Sequence, residues 1–257
     1  MLPFLDADQV RRVRTVQERH GIAPGDPGSG LFNDTWSTDA SYKAAMSSSL
    51  TEILEEPTRR EFLEYVSLGW TNITKWPGSA GAVISHRDPS FVDERVHRSY
   101  GVWCAIEPVG PDTGALTLAP GSHRARPLVR VHQAEDNLAP DYDGALAERT
   151  VSIPLAAGEA IVYDHALVHG SGPNTGPHPR TVVAGLLVPV AAAPRYTIAT
   201  DDGPVTVGID RHFFLDEKLD QLDVDHVVAT YPSIPAGTAP TEPGRRRWRG
   251  RARRRRT

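Results

Sequence analysis

Apolar residues recur at two different spacings along this chain, and the spacing changes near residue 68. Before that point the repeat is helical. Asp6-Ala-Asp-Gln9 has the form of a capping box, followed by Val10, Val13 and Val16 on one stripe, so a helix is predicted to about His20, with Gly21 ending it. Residues 21–30 are rich in Gly and Pro and read as loop. Asp39 is placed to cap a second helix whose buried face carries Tyr42, Met46, Leu50, Ile53 and Leu54. Pro57 is expected to end it, with a short helix over 59–66 following.

From about Leu68 the chain breaks into short runs rich in Val, Ile, Thr and aromatics between Gly/Pro turns. The predicted strands are 68–76, 81–87, 99–108, 115–119, 151–155, 160–168, 181–190, 196–200 and 205–210. Many short strands imply a sandwich, barrel or jelly roll. Residues 122–150 lack a β pattern and are expected to form a long functional excursion. One domain over 1–231 is expected, helical over 1–66 with a β core over 67–210. A flexible Pro/Gly-rich and then Arg-rich tail is expected over 232–257.

Charge modifies this picture at one end. Nine of the 28 basic residues lie in 244–257, leaving 19 against 32 acidic residues in the body, a net of -13. The body is therefore not a nucleic-acid binder. The arginine run with Trp248 could hold phosphates, but a disordered terminal extension is the favoured reading and no nucleic-acid partner is expected. The single Cys104 precludes an internal disulfide and excludes sulfur ligation of a metal. With no apolar run of membrane length and no signal-peptide pattern at the start, a cytoplasmic location is expected.

Two segments about eighty residues apart carry candidate chemistry. One reads His86-Arg87-Asp88; the other runs from His165 through His169-Gly-Ser171-Gly-Pro-Asn174 to Arg180. On an extended segment His86 and Asp88 share a face, and Arg87 points away. A distant His completes two imidazoles and a carboxylate, a set that suits Fe(II) and leaves positions open for substrate and oxygen. His165 and His169 at a spacing of four could instead be a helical zinc pair. The surrounding glycines favour strand and turn, with His165 a structural residue beside the site.

Taken in order, His86-Arg-Asp88, Trp103-Cys-Ala-Ile-Glu107, Gly114-Ala-Leu-Thr-Leu-Ala-Pro-Gly-Ser-His123, Gly158-Glu-Ala-Ile-Val-Tyr-Asp, His169-Gly-Ser-Gly-Pro-Asn174 and Arg180 resemble the phytanoyl-CoA dioxygenase family of Fe(II)/2-oxoglutarate oxygenases over roughly residues 68–190. The resemblance implies a mainly β fold with flanking helices, a double-stranded β-helix of jelly-roll, cupin-like form. It implies His86, Asp88 and His169 as catalytic iron ligands. Arg180, assisted by Ser171, would anchor the distal carboxylate of 2-oxoglutarate, with Trp103 lining that pocket. Lys75 is either a second cation there or a solvated surface lysine. Gly121-Ser122-His123 is read as a structural turn.

The family usually has Gln where this chain has Arg87, so a substrate contact at the pocket rim is expected for that residue. The implied reaction uses Fe(II), 2-oxoglutarate and O2 to hydroxylate an unactivated C–H of a small molecule, free or carrier-bound, in natural-product tailoring. Desaturation, epoxidation or cyclisation would use the same residues, and a non-catalytic jelly-roll binding module is the reading from another class. The retained Asp88 argues against halogenation. Substrate contacts are expected from 22–36, 89–98, 122–150 and the segment after Arg195. The charged Arg87, Asp93, Glu94, Arg95 and Arg98 hint at a polar substrate.

Overall fold

A computed structural model describes residues 1–21, 30–78, 80–125, 129–132 and 148–235. The first helix, α1 (Ala7–His20), starts at the predicted capping box: Gln9 N–H donates to the Asp6 side chain, and the Gln9 side chain accepts from Asp6 N–H. The second, α2 (Ala40–Glu61), is capped by Asp39 but does not stop at Pro57, which lies inside it. One missing backbone donor costs about 3 kcal/mol. Burial of Met46, Leu50, Ile53 and Leu54, with Pro57 itself buried, outweighs that loss. Residues 59–61 are therefore the last turn of α2, not a new helix.

Among the described residues, twelve strands follow the predicted runs with shifted ends and three additions. They are β1 (Leu2–Pro3), β2 (Leu31–Asn33), β3 (Tyr65–Lys75), β4 (Val83–His86), β5 (Tyr100–Ala105), β6 (Leu116–Leu118), β7 (Val151–Ile153), β8 (Glu159–Asp164), β9 (His169–Ser171), β10 (Arg180–Pro189), β11 (Arg195–Ile198) and β12 (Val205–Gly208). Strands β1 and β2 were not expected, being too short to show a period. The run predicted over 160–168 ends at Asp164, and β9 begins separately at His169. Short helices α3 (Phe213–Asp216) and α4 (Val224–Thr230) were also missed.

The strands form a six-stranded sheet in the order β1-β8-β5-β10-β3-β2, a four-stranded sheet β4-β9-β6-β7 and the hairpin β11-β12. Their pairings are antiparallel. This is a mainly β jelly roll with flanking helices. Period-two alternation gives the large sheet two buried faces. Val102, Cys104, Val183 and Leu187 pack against α1 and α2. Trp103, Ala105 and Val182 face Leu116, Leu118 and Leu155 across the roll. A third cluster joins Phe91, Tyr196, Val207, Phe213 and Val227 at one end.

The first residues of the tail pair with the β core. Gly208 N–H donates to Pro232 O and Ile234 N–H to Thr206 O, so 232–234 lie along the edge of β12. The Arg-rich tail, including Trp248, lies outside the described residues, as does most of the 122–150 excursion.

Candidate metal and anion site

The small sheet brings the distant histidines together. His86 of β4 and His169 of β9 are direct cross-strand partners, so their side chains rise from the same face, with ring centroids 4.4 Å apart. Asp88 follows two residues after His86 on extended chain. Its carboxylate lies 3.7 Å from His86 Nε2 through Oδ1 and 3.7 Å from His169 Nε2 through Oδ2. One ligand atom from each of the three residues falls within 4.8 Å of the others.

The tautomers are set by the backbone. His86 Nδ1 donates to Ile84 O at 2.9 Å and His169 Nδ1 to Leu167 O at 2.9 Å. A carbonyl can only accept, so the proton sits on Nδ1 and each Nε2 presents a lone pair to the cluster. Burial pushes His169 down to about 4, against the opposing pull of Asp88, which keeps the ring neutral near pH 7. Two imidazoles and one carboxylate converging within 4.8 Å fit Fe(II).

His165 stands beside this set. Its Nδ1 meets Ser99 Oγ at 2.9 Å and its Nε2 stays 4.0 Å from Asp88 Oδ2. It lies in the turn after β8, so the helical-pair alternative has no helix to sit on. Tyr163 covers His169 at a ring separation of 4.7 Å. Gly101 makes room for it, because a Cβ there would lie 2.5 Å from the Tyr163 ring.

Two basic side chains meet in the same roll. Arg180 opens β10 opposite Lys75 at the end of β3, the two being register partners. Both are almost fully buried, which removes the reading of Lys75 as a surface lysine. Arg180 donates through Nε to Thr113 O (3.0 Å), through Nη2 to Gly114 O (2.7 Å) and weakly through Nη1 to Ile73 O (3.4 Å), and it stacks on Trp103 at 5.2 Å. Lys75 Nζ reaches Ser171 Oγ (2.6 Å), Ser171 O (3.3 Å) and Gly172 O (2.5 Å).

Gly114 permits this packing, since its φ is +72° and a Cβ would sit 2.6 Å from Gly172 O and 3.0 Å from Lys75 Cδ. Burial pushes Lys75 down to about 7, with Arg180 adding to the fall. Burial also lowers Arg180 to about 10, against Glu107, and it remains charged. Arg180 and Lys75 are thus two buried basic side chains on paired strands, with Ser171 bonded to Lys75.

Arg87 carries a bracing role that its sequence position does not show. It does turn away from the cluster, yet it is buried, not at an outer rim. Its Nε donates to Ala166 O (3.1 Å) and its Nη2 to Ala125 O (3.1 Å), which ties the start of the excursion to the turn before β9. Longer than Gln, Arg can reach carbonyls on two segments. Charged residues of the loop over 89–98 are also engaged: Asp93 pairs with Arg95 within the loop, while Asp93 also meets Arg195, Glu94 meets Arg130 and Arg98 meets Asp164 on other segments.

A cavity of about 200 Å³ opens beside Asp88 and His165, with Phe91 and Phe214 among its walls. Asn33 and Arg211 also line it. Residues 33–35, Phe91 and residues after Arg195 thus contribute to it, while 22–29 lie outside the described residues. Ser122 is a turn residue, its Oγ accepting from Val168 N–H at 2.8 Å, in keeping with the structural reading of that motif.

The family model for phytanoyl-CoA dioxygenase (PhyH) matches residues 27–182. The chain belongs to that family. Among its relatives, phytanoyl-CoA dioxygenase domain-containing protein 1 of Danio rerio is 33% identical over 132 residues, 48% of this chain and 44% of the relative. The phytanoyl-CoA dioxygenase of Arabidopsis thaliana is 33% identical over 104 residues, 40% and 37% of the two chains. The matched region is thus less than half the length of either relative.

Solved structures extend the likeness of fold. AviO1 from Streptomyces viridochromogenes Tue57 has a TM-score of 0.52 at 24% identity, covering 75% of this chain and 89% of that one. EvdO2 from Micromonospora carbonacea, solved with 2-oxoglutarate, has a TM-score of 0.51 at 22% identity, covering 75% and 86%. HygX from Streptomyces hygroscopicus, solved with nickel and 2-oxoglutarate, has a TM-score of 0.51 at 15% identity, covering 74% and 82%. Among the described residues no helix is long and apolar enough to cross a membrane.

Proposed function

We propose that this chain is an Fe(II)- and 2-oxoglutarate-dependent oxygenase that hydroxylates an unactivated C–H of a small organic molecule in natural-product tailoring. The observation that carries this is the convergence of the His86, Asp88 and His169 ligand atoms within 4.8 Å in the same roll as the buried pair Arg180 and Lys75. A vestigial binding module would have no need to keep two buried cations whose desolvation is unfavourable. The 2-oxoglutarate held by EvdO2 and HygX, and the hygromycin B held by HygX, support the cosubstrate and the small-molecule class.

Iron with 2-oxoglutarate, when bound, supplies activation of O2 coupled to oxidative decarboxylation. The protein supplies placement. His86, Asp88 and His169 would hold the metal on one side. Arg180 and Lys75 would take the distal carboxylate of 2-oxoglutarate, and Ser171, which already accepts from Lys75, keeps its own hydroxyl proton to donate. The cavity beside Asp88 would receive the substrate, with Phe91 and Phe214 against its apolar part.

Anaerobic addition of Fe(II) and 2-oxoglutarate to the metal-free protein tests the assignment without a substrate. The weak visible charge-transfer band of the chelate is expected. Its absence from folded protein would overturn the reading.

A second prediction concerns protons. With Lys75 lowered to about 7, the free site is largely unprotonated at pH 8. An arriving carboxylate favours the ammonium form and raises its pKa. Binding of 2-oxoglutarate at pH 8 should therefore take up protons, and its affinity should fall as pH rises above 7. Calorimetry in two buffers of different ionisation enthalpy measures the uptake. Equal uptake in the wild type and Lys75→Met would remove Lys75 from the anion site.

A further inference from the structure

Behind the metal cluster lies an ion pair that no motif announces. The side chains of Arg130 and Glu94 are 0% and 1% exposed and meet as a fork, Nη1 to Oε2 at 2.7 Å and Nη2 to Oε1 at 2.5 Å. The third nitrogen of the guanidinium, Nε, donates to the main-chain carbonyl of Asp88 at 2.6 Å. The Arg130 backbone is fixed too: its N–H donates to Ser90 Oγ at 3.0 Å, and its carbonyl accepts from Ser90 N–H at 3.1 Å. On the other side, Asp88 N–H donates to His165 O at 3.0 Å. Pro89 restricts Asp88 to extended backbone.

We infer that Arg130 is a positioning residue for the metal ligand Asp88, held in place by Glu94. This rests on the metal reading above. The chain around Asp88 is loop, with no strand partner to fix where its carboxylate points. The bonds from Asp88 N–H and to Asp88 O supply that constraint from both sides. A rotation of this residue would swing Oδ1 and Oδ2 away from the Nε2 atoms of His86 and His169.

Stability alone does not explain such a pair, because apolar residues of similar volume often serve a buried site equally well. What an apolar pair lacks is the Nε donor aimed at Asp88. Glu94 has a second effect: it cancels a guanidinium charge that would otherwise repel a divalent cation nearby. Residues 129–132, the described middle of the 122–150 excursion, thus belong to the support of the metal site.

The test separates fold from metal. The double variant Arg130→Met/Glu94→Met removes both charges together and should keep a melting temperature close to wild type. Its Fe(II) affinity, read anaerobically by chelator competition, should fall about 10- to 100-fold, the loss typical of removing an outer partner of a ligand. The visible spectrum of its Co(II) form should change.

Arg130→Lys keeps the charge but cannot bond both Glu94 oxygens and the Asp88 carbonyl in one plane. It should fold and show a smaller loss, and it decides the matter if the double variant does not fold. Wild-type Fe(II) affinity and an unchanged Co(II) spectrum in the folded variants would overturn the inference. Failure of the wild type itself to take up Fe(II) would overturn the metal reading, and the inference with it.

Discussion

Alanine at His169 should abolish Fe(II) binding and turnover, whereas alanine at His165 should leave both measurable. The two residues are four apart, both are buried, and both direct Nε2 towards Asp88, at 3.7 and 4.0 Å. They differ in what surrounds them. His169 is the cross-strand partner of His86, and its Nδ1 proton is spent on Leu167 O, so its lone pair faces the same space as that of His86. His165 Nδ1 meets Ser99 Oγ, a group that both donates and accepts, and His165 is not one of the residues whose ligand atoms converge within 4.8 Å.

Removing one of three ligands should weaken Fe(II) by more than the roughly 10- to 100-fold typical of an outer-partner loss. Removing His165 leaves Ser99 without that partner in a buried place, an expected loss of about 1–3 kcal/mol in stability. The measurements are anaerobic Fe(II) titration and thermal unfolding of both variants. Iron binding lost in His165→Ala and kept in His169→Ala would transfer the ligand role to His165.

Much of this site can be read in the sequence because its parts are local or periodic. The capping box at Asp6 and Gln9 fixes one end of α1 within four residues. His86 and Asp88 share a face because extended chain has period two. What stayed hidden depends on partners far along the chain. Pro57 reads as a helix stop, and only the packing of α2 against α1 and β3 shows why the helix continues. Arg87 reads as outward-facing, yet its partners are the carbonyls of Ala125 and Ala166, 38 and 79 residues away. Arg130 has no local signal at all, since Glu94 and Asp88 lie 36 and 42 residues before it. Lys75 could be a surface lysine until β3 is seen to end against β10 and the turn after Ser171.

Arg180→Ala should raise the apparent KM for 2-oxoglutarate by about 100-fold or more, with a smaller change in kcat at saturation. A guanidinium has five N–H donors, and three of the nitrogens' bonds here go to the carbonyls of Thr113, Gly114 and Ile73. One N–H on each terminal nitrogen is left, the pair a carboxylate needs for a bidentate contact. Truncating one side of a buried charge pair costs about 2–5 kcal/mol, and each 1.4 kcal/mol is a factor of ten.

Part of the damage will be structural, because two well-bonded carbonyls lose their donor and Trp103 loses its stacked cation. The unfolding temperature should therefore fall as well. Arg180→Lys separates the two effects. It restores the charge but not the planar fork, so it should recover only part of the KM while Lys75 still supplies a second cation. If the anchor role is right, the order of KM is wild type, then Lys, then Ala, and the Lys75→Met/Arg180→Ala protein binds 2-oxoglutarate more weakly than either single variant. A KM unchanged in folded Arg180→Ala would leave the guanidinium as a brace for the 113–114 turn and would send the search for the carboxylate anchor back to Lys75 and Ser171.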